Sequence, residues 1–311
     1  MPIDTTRKSI NPATTISMMT IHDWPAMVFG LPFMGIGAYI VGISLGMIPC
    51  DPAKIHAPRH VLTAAGGLFL VAGLWVFSYG LITFFQRLEK QQLEKNWPTE
   101  IWRVDYRWDP QGINDQALAN VGRGLFSTAL GVGLIGPMNW IIFALKQIPL
   151  FAKIGILIFD AWIVGILIGS IYRFLQWGKY KTSRLQFQGF PFFLGDKMEV
   201  LLCSGSSLRD VKHLTVTLRC VEEKYETRGS GKNQSQVVVA YQVYAETLEF
   251  FDLQSYNQET LRLPLKFILP LEAGLETRLR DRPAVYWELV VKAAIPGIDY
   301  AANFLVPIYK K

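Results

Sequence analysis

Four long apolar stretches, three of them without a formal charge, limit what this chain can fold into. Trp24 to Ile48 runs for 25 residues and Val61 to Gln86 for 26; Gly124 to Leu145 adds 22 more, and Ile154 to Tyr172 is interrupted only by Asp160. A hydrocarbon core of about 30 Å is crossed by roughly 20 apolar residues of helix. Each stretch therefore predicts a transmembrane helix, with Pro137 placed to bend the third. With half the residues apolar and only 18% charged, against a usual fraction of roughly a quarter, the composition also argues against disorder and against a wholly soluble globular protein.

The positions of the cations predict orientation. One side would carry Arg7 and Lys8, six basic residues between Arg87 and Arg123, and four between Arg173 and Arg184, making 12; the other would carry only Lys54, Arg59, Lys146 and Lys153, making 4. Both termini are thus expected in the cytoplasm, of a bacterial inner membrane or its equivalent. Trp24, Trp140 and Trp177 fall near span ends, where indole rings favour the interface. The first 23 residues are polar and lack the charged lead, short apolar run and small-residue cleavage site of a secretory signal.

Beyond Trp177 the apolar period changes from helical runs to alternation. Leu261, Leu263, Leu265, Phe267 and Leu269 share one face against Arg262, Pro264, Lys266, Ile268 and Pro270. Val285, Trp287, Leu289, Val291 and Ala293 repeat the pattern against Tyr286, Glu288, Val290 and Lys292. Period two predicts strands with one buried face. Leu214 to Cys220 and Val237 to Tyr244 read as hairpin partners around a polar, Gly-rich tip. Arg184 to Gln188, Met198 to Leu202 and Tyr300 to Val306 complete seven or eight strands, for which a two-sheet sandwich is the economical packing. The expected fold class is α+β: four transmembrane helices followed by a C-terminal antiparallel β-sandwich. The expected division is 1–23 as an N-terminal segment, 24–86 as spans one and two, 87–123 as a juxtamembrane segment, 124–178 as spans three and four, and 179–311 as the sandwich.

Three regions resemble a family of bacterial multi-pass membrane proteins labelled domain of unknown function 3592. They are IHAPRHVLTAAGGLFLVAGL (Ile55 to Leu74), IWRVDYRWDPQGIND (Ile101 to Asp115) and YWELVVKAAIPGIDYAANFLVPIY (Tyr286 to Tyr309). The most specific residues are Trp102, Arg103, Asp105 and Trp108, then Trp287, Glu288 and Leu289 with Pro296, Gly297, Asp299, Tyr300, Phe304, Val306 and Pro307. This ending is also similar to the terminal strands of arrestin-like sandwiches. The resemblance implies the architecture and no catalytic residue.

Candidates for chemistry are sparse. Asp160, a carboxylate inside a span, reads either as a proton or ion relay or as a structural partner of Lys146 or Asn139. Cys50, Asp51, His56 and His60 crowd one loop, but Pro58 opposes the helix that would align the two histidines on a metal. The stretch Trp102 to Trp108 reads as a docking motif (Trp102, Arg103, Asp105, Trp108) or as an interfacial element braced by its own charges. Lys179, Lys181 and Arg184 could hold anionic headgroups, or serve only as a topology signal. Small residues at four-residue spacing, Ala38, Gly42 and Gly46, then Gly165 and Gly169, offer close helix packing within the chain or between subunits.

No GxSxG, P-loop, HExxH or dinucleotide fingerprint occurs, and the four histidines are scattered. Three cysteines are too few for a disulfide framework or a CxxC metal site. The net charge of +6 divides as 13 Lys/Arg against 10 Asp/Glu up to Trp177 and 18 against 15 afterwards. That even excess gives no nucleic-acid footprint. The expected function is a non-enzymatic interaction or scaffold protein without metal or cofactor. Its partners would be membrane lipids and a protein, a larger complex or a second copy. A channel or transporter subunit using Asp160 is the alternative, and an accessory subunit of a membrane complex a third.

Overall fold

The computed structural model describes the chain apart from residues 1–2, 5–7, 14–22, 51–57, 98–99, 145–148, 207, 209–210, 230–233, 252, 254–259 and 282. The described residues form two compact units. One contains 1–17, 93–120 and 173–311, and the other 18–92 and 121–172.

The helical unit is built on four helices, α1 (Asp23–Ser44), α2 (Arg59–Asn96), α4 (Ala117–Ala144) and α5 (Leu150–Tyr180). All four are long and apolar enough to cross a membrane, which fits an integral membrane protein. Helix α2 runs 38 residues, continuing past the uncharged stretch through the charged sequence that ends at Asn96. Good helix formers such as Leu, Glu, Lys and Gln carry it onward once the apolar residues end.

Helices α1 and α2 meet through glycines a heptad apart. A Cβ at Gly30 would lie 2.8 Å from the Gly73 carbonyl oxygen, and one at Gly66 would lie 2.9 Å from the Val41 amide. Gly37 is closed off just as tightly by the backbone of Leu70. Of the small residues at four-residue spacing, Ala38 is exposed and Gly46 has open space around it. Gly42 instead receives the side chain of Ile48, while Gly165 and Gly169 face open space in this chain.

The other unit is mainly strand. After the short α3 (Ile101–Asp105) come β3 (Gly112–Asn114), β4 (Arg184–Phe187), β5 (Phe192–Phe193), β6 (Lys197–Cys203), β7 (Leu214–Arg228), β8 (Ser235–Phe250), β9 (Arg262–Ile268), β10 (Val285–Ala293), β11 (Tyr300–Val306) and β12 (Ile308–Tyr309). Ahead of α1, β1 (Ile3–Asp4) and β2 (Lys8–Ile10) both pair with β8. One antiparallel sheet has the order β1-β8-β7-β10-β11 and another β3-β4-β6-β9. The pair β5 and β12 is parallel, the exception to the antiparallel expectation. It is held by Phe192 N–H donating to Pro307 O at 3.0 Å and Leu194 N–H donating to Tyr309 O at 2.9 Å.

Alternation worked as expected on β9, where every second residue is buried. Leu263, Leu265 and Phe267 from that strand join Leu218, Trp287, Leu289 and Phe304 from the larger sheet in one apolar cluster. Trp287 is fully buried, its ring centroid 5.3 Å from Tyr244 and its Nε1 donating to Leu275 O at 2.5 Å. Leu218 and Phe304 are the register partners of Leu289, two residues farther along the same face.

The opposite face of β10 departs from the expectation of exposure. Tyr286, Glu288 and Val290 are buried, and only Lys292 reaches solvent. A second cluster containing Val221, Leu279, Tyr286 and Leu305 covers that face, with Ile10, Trp108 and Ile113 packed against it. Glu288 survives there because Arg219 Nε donates to its Oε1 at 2.6 Å and Ala13 N–H approaches the same oxygen at 3.3 Å. A buried carboxylate needs such partners to offset its lost hydration.

Candidate functional site

The WRVDYRW stretch belongs to the β-rich unit. Asp105 ends α3 and is almost completely buried. Its Oδ2 accepts from Leu279 N–H at 3.1 Å and from Tyr309 Oη–H at 3.1 Å, and its Oδ1 accepts from Arg280 N–H at 2.9 Å. Trp108 Nε1 in turn donates to Tyr309 Oη at 2.9 Å. The Trp102 ring stands edge-on to Phe193 at 6.0 Å and tilted against Tyr309 at 6.3 Å. Arg103 stays exposed, paired with Glu100 and stacked 4.5 Å over Trp97. Of the four residues considered for docking, Trp102, Asp105 and Trp108 thus bind the chain's own last strand and the loop before β10. Burial pushes the Asp105 carboxyl above its ordinary value, opposed by the two backbone N–H groups and by Tyr309. The Tyr309 phenol is raised by burial and by the Asp105 charge beside it.

A second cluster joins β3, β4 and β11. Asp115 Oδ2 accepts from Ser183 N–H at 3.0 Å, and its Oδ1 accepts from Ala117 N–H at 3.3 Å, an Asx turn leading into α4. Ser183 Oγ lies 2.9 Å from Tyr300 Oη, and the Tyr300 ring packs edge-on against Tyr180 at 5.3 Å. Burial raises both the Asp115 carboxyl and the Tyr300 phenol. Gly112 permits this meeting of strands: it has φ +142, and a Cβ there would collide with the backbone of Leu185. Beside the cluster lies a cavity of about 200 Å³ lined by Asp115, Gln116, Asn120, Arg173, Gln176 and Asn303, among others.

The basic residues considered for headgroups are engaged by protein. Lys179 Nζ sits 3.4 Å from Ile298 O and 4.9 Å from the Tyr180 ring centroid. Lys181 has φ 58, the left-handed conformation that ends α5, with its N–H bonded to Trp177 O at 2.7 Å and its ammonium over the Trp177 ring. Arg184 pairs with Asp109 at 3.1 Å.

Within the helical unit, Asn139 Nδ2 donates to Asp160 Oδ1 at 2.8 Å, joining α4 to α5. Lys146, the other partner considered, lies outside the described residues, as do Asp51 and His56. Cys50 is exposed, and among the described residues no group of three or more His, Cys, Asp or Glu side chains could hold a metal ion.

Sequence reasoning missed Asp115 and Arg173. Asp115 had a local signal, an Asx residue two positions before a helix. Arg173 had none beyond its place after the last apolar run.

No family model matches the chain, and no curated protein matches it. Among solved structures it is similar to Spo0M, a sporulation control protein from Bacillus subtilis, at 12% identity and a TM-score of 0.24, covering 42% of this chain and 49% of that one. It is also similar to a DUF4466 family protein from Parabacteroides merdae, at 14% identity and a TM-score of 0.22, covering 41% and 43%. The chain spans less than half the length of either structure.

Proposed function

We propose that the protein is a non-enzymatic, membrane-anchored interaction protein, akin to the domain-of-unknown-function 3592 proteins it resembles. In this reading four spans cross a bacterial inner membrane or its equivalent with both termini cytoplasmic. The two sheets form an arrestin- or immunoglobulin-like sandwich that recruits a protein partner. Support for the sandwich comes from the single apolar cluster to which both sheets contribute. Support for the orientation comes from the asymmetry of basic residues around the spans.

The observation that carries recruitment is the length of the β7–β8 hairpin. Strand β10 accompanies β7 only from Thr215 to Glu222. Beyond that, Lys224 to Arg228 pair with Ser235 to Val239 and, among the described residues, with no other strand. Five residues of strand span about 17 Å, so a two-stranded ribbon projects past the sheet. It carries exposed Tyr225 and Val237 and mixed charges, and both of its edges offer unpaired backbone groups for an added strand.

Replacing Tyr225 and Val237 together by Ser in the full chain, purified in mild detergent, should abolish retention of the copurifying partner while leaving the melting transition in place. An unchanged set of copurifying proteins refutes the recruiting role. Labelling of a cysteine at position 228 from outside the cell refutes the orientation. The alternative, a channel or transporter subunit using Asp160, draws less support because the carboxylate is tied to Asn139 across two neighbouring helices.

A further inference from the structure

We infer that the cavity between the start of α4, the end of α5 and strand β11 is a binding site for the headgroup of an anionic phospholipid, a phosphoglycerol group held by Arg173. Arg173 is exposed at the cavity and makes no ion pair or hydrogen bond among the described residues. Every basic residue farther along α5 and into β4 is already engaged: Lys179 by Ile298 O and Tyr180, Lys181 by Trp177, Arg184 by Asp109. Asp115, the carboxylate in the cavity lining, accepts from a backbone N–H on each of its oxygens and, among the described residues, makes no ion pair with the arginine. A free guanidinium is the group that a phosphate diester satisfies, through paired N–H donors.

Two further features fit the rest of such a headgroup. Gln116, which lines the cavity, has its Oε1 buried with no hydrogen-bond partner, an acceptor that a glycerol hydroxyl can satisfy. Asn120 and Asn303 add amide donors and acceptors to the lining. The volume, about 200 Å³, suits a headgroup rather than a drug-sized ligand. A lipid, in preference to a free phosphate, follows from sequence position. Arg173 is the first residue after the apolar run that ends at Tyr172, and Asn120 precedes Gly124, where the third apolar run begins. A side chain at the end of a span sits at headgroup depth. The inference rests on the assignment of these helices as spans and is independent of any protein partner.

The test uses the full chain in a neutral detergent, with retained lipid counted by native mass spectrometry during titration with phosphatidylglycerol or phosphatidylcholine. One phosphatidylglycerol should be held per chain, about fivefold more tightly than phosphatidylcholine, the preference one basic residue supplies. Arg173→Gln should erase that preference, and Lys181→Gln, which removes the same charge outside the cavity, should keep it. Ala301→Phe, which fills the cavity without touching the charge, should erase binding as well. Equal affinity for the two lipids overturns the proposal, as does an equal loss in the Arg173 and Lys181 variants, or an Ala301→Phe protein that folds and still binds. Displacement of the lipid by equimolar glycerol 3-phosphate assigns the site to a free phosphate and overturns the lipid. If the ribbon variant loses its partner while lipid binding persists, or the reverse, the two proposals stand or fall separately.

Discussion

Removing the Asp105 carboxylate tests whether the WRVDYRW stretch locks the β-rich unit together or awaits an external partner. Asp105→Ala leaves three donors without their acceptor: the N–H groups of Leu279 and Arg280 and the Tyr309 hydroxyl. A buried polar group stripped of its partner costs about 1–3 kcal/mol. Leu279 and Tyr309 are buried and incur the full amount, whereas Arg280 recovers part of its own through water, so about 3–5 kcal/mol is expected in all. The loop that Asp105 holds is also the one whose Leu275 carbonyl accepts from Trp287 Nε1 and from Cys220 Sγ. Cys220 is completely buried and its thiol is pushed upward by burial, so it reacts only when this part of the unit opens. With Cys50 and Cys203 replaced by Ser, the rate at which a thiol reagent labels Cys220 in the folded, detergent-solubilised chain reads the opening equilibrium. A loss of 3 kcal/mol corresponds to an increase of about 100-fold or more. Asp105→Asn, which keeps an acceptor oxygen, should give a smaller rise. An Asp105→Ala rate within threefold of the parent refutes the lock and restores the docking reading.

The remaining predictions concern pH, the core and the membrane carboxylate. Asp105 and Asp115 both have folded-state carboxyls above the ordinary 3.8, so just above that value the folded chain holds more protons than the unfolded one. Stability should fall as pH rises from about 4 through the folded values and level off above them; denaturant titrations across that range check it, and Asp105→Asn should flatten part of the slope. Trp287→Ala should cost about 3–5 kcal/mol by loss of a fully buried ring, read as a lowered denaturation midpoint of the full chain, and an unchanged midpoint contradicts the packing. Asp160→Asn preserves an acceptor for Asn139 Nδ2; its stability should change by less than about 1 kcal/mol by thermal melting, and loss of a transport phenotype with normal folding would favour the transporter reading.

Much of this was legible in the sequence wherever a pattern is local. Apolar runs mark α1, α2, α4 and α5 because crossing a membrane imposes a composition on each helix separately. Period two marks β9 because one of its faces meets solvent along the whole strand. The same rule placed Tyr286, Glu288 and Val290 outside, and it failed because the residues covering them come from far away in the chain. Ile10, Trp108 and Ile113 lie over that face, and no window around β10 contains them. Two apolar residues on the supposedly wet face, Tyr286 and Val290, were the local sign that something covers it. For Asp105 the stretch was singled out, but its partners stand 174 and 204 positions later, beyond any spacing argument.

Those separations have a consequence for assembly. The β-rich unit takes its residues from three pieces of chain, and two of them precede the membrane helices that separate them from the third. Ala13 meets Glu288 across 275 positions, and β2 waits for β8. Contacts this distant reward the chain only after the loop between them has closed, so they form late and slowly. During synthesis the N-terminal strands and the WRVDYRW stretch are made first, while the surfaces they cover do not yet exist. Until β10 arrives, the apolar Ile10, Trp108 and Ile113 have no face to bury against. The short, charged-flanked β1 and β2 suit that order, because strands of two and three residues are weak templates for pairing with other chains while they wait.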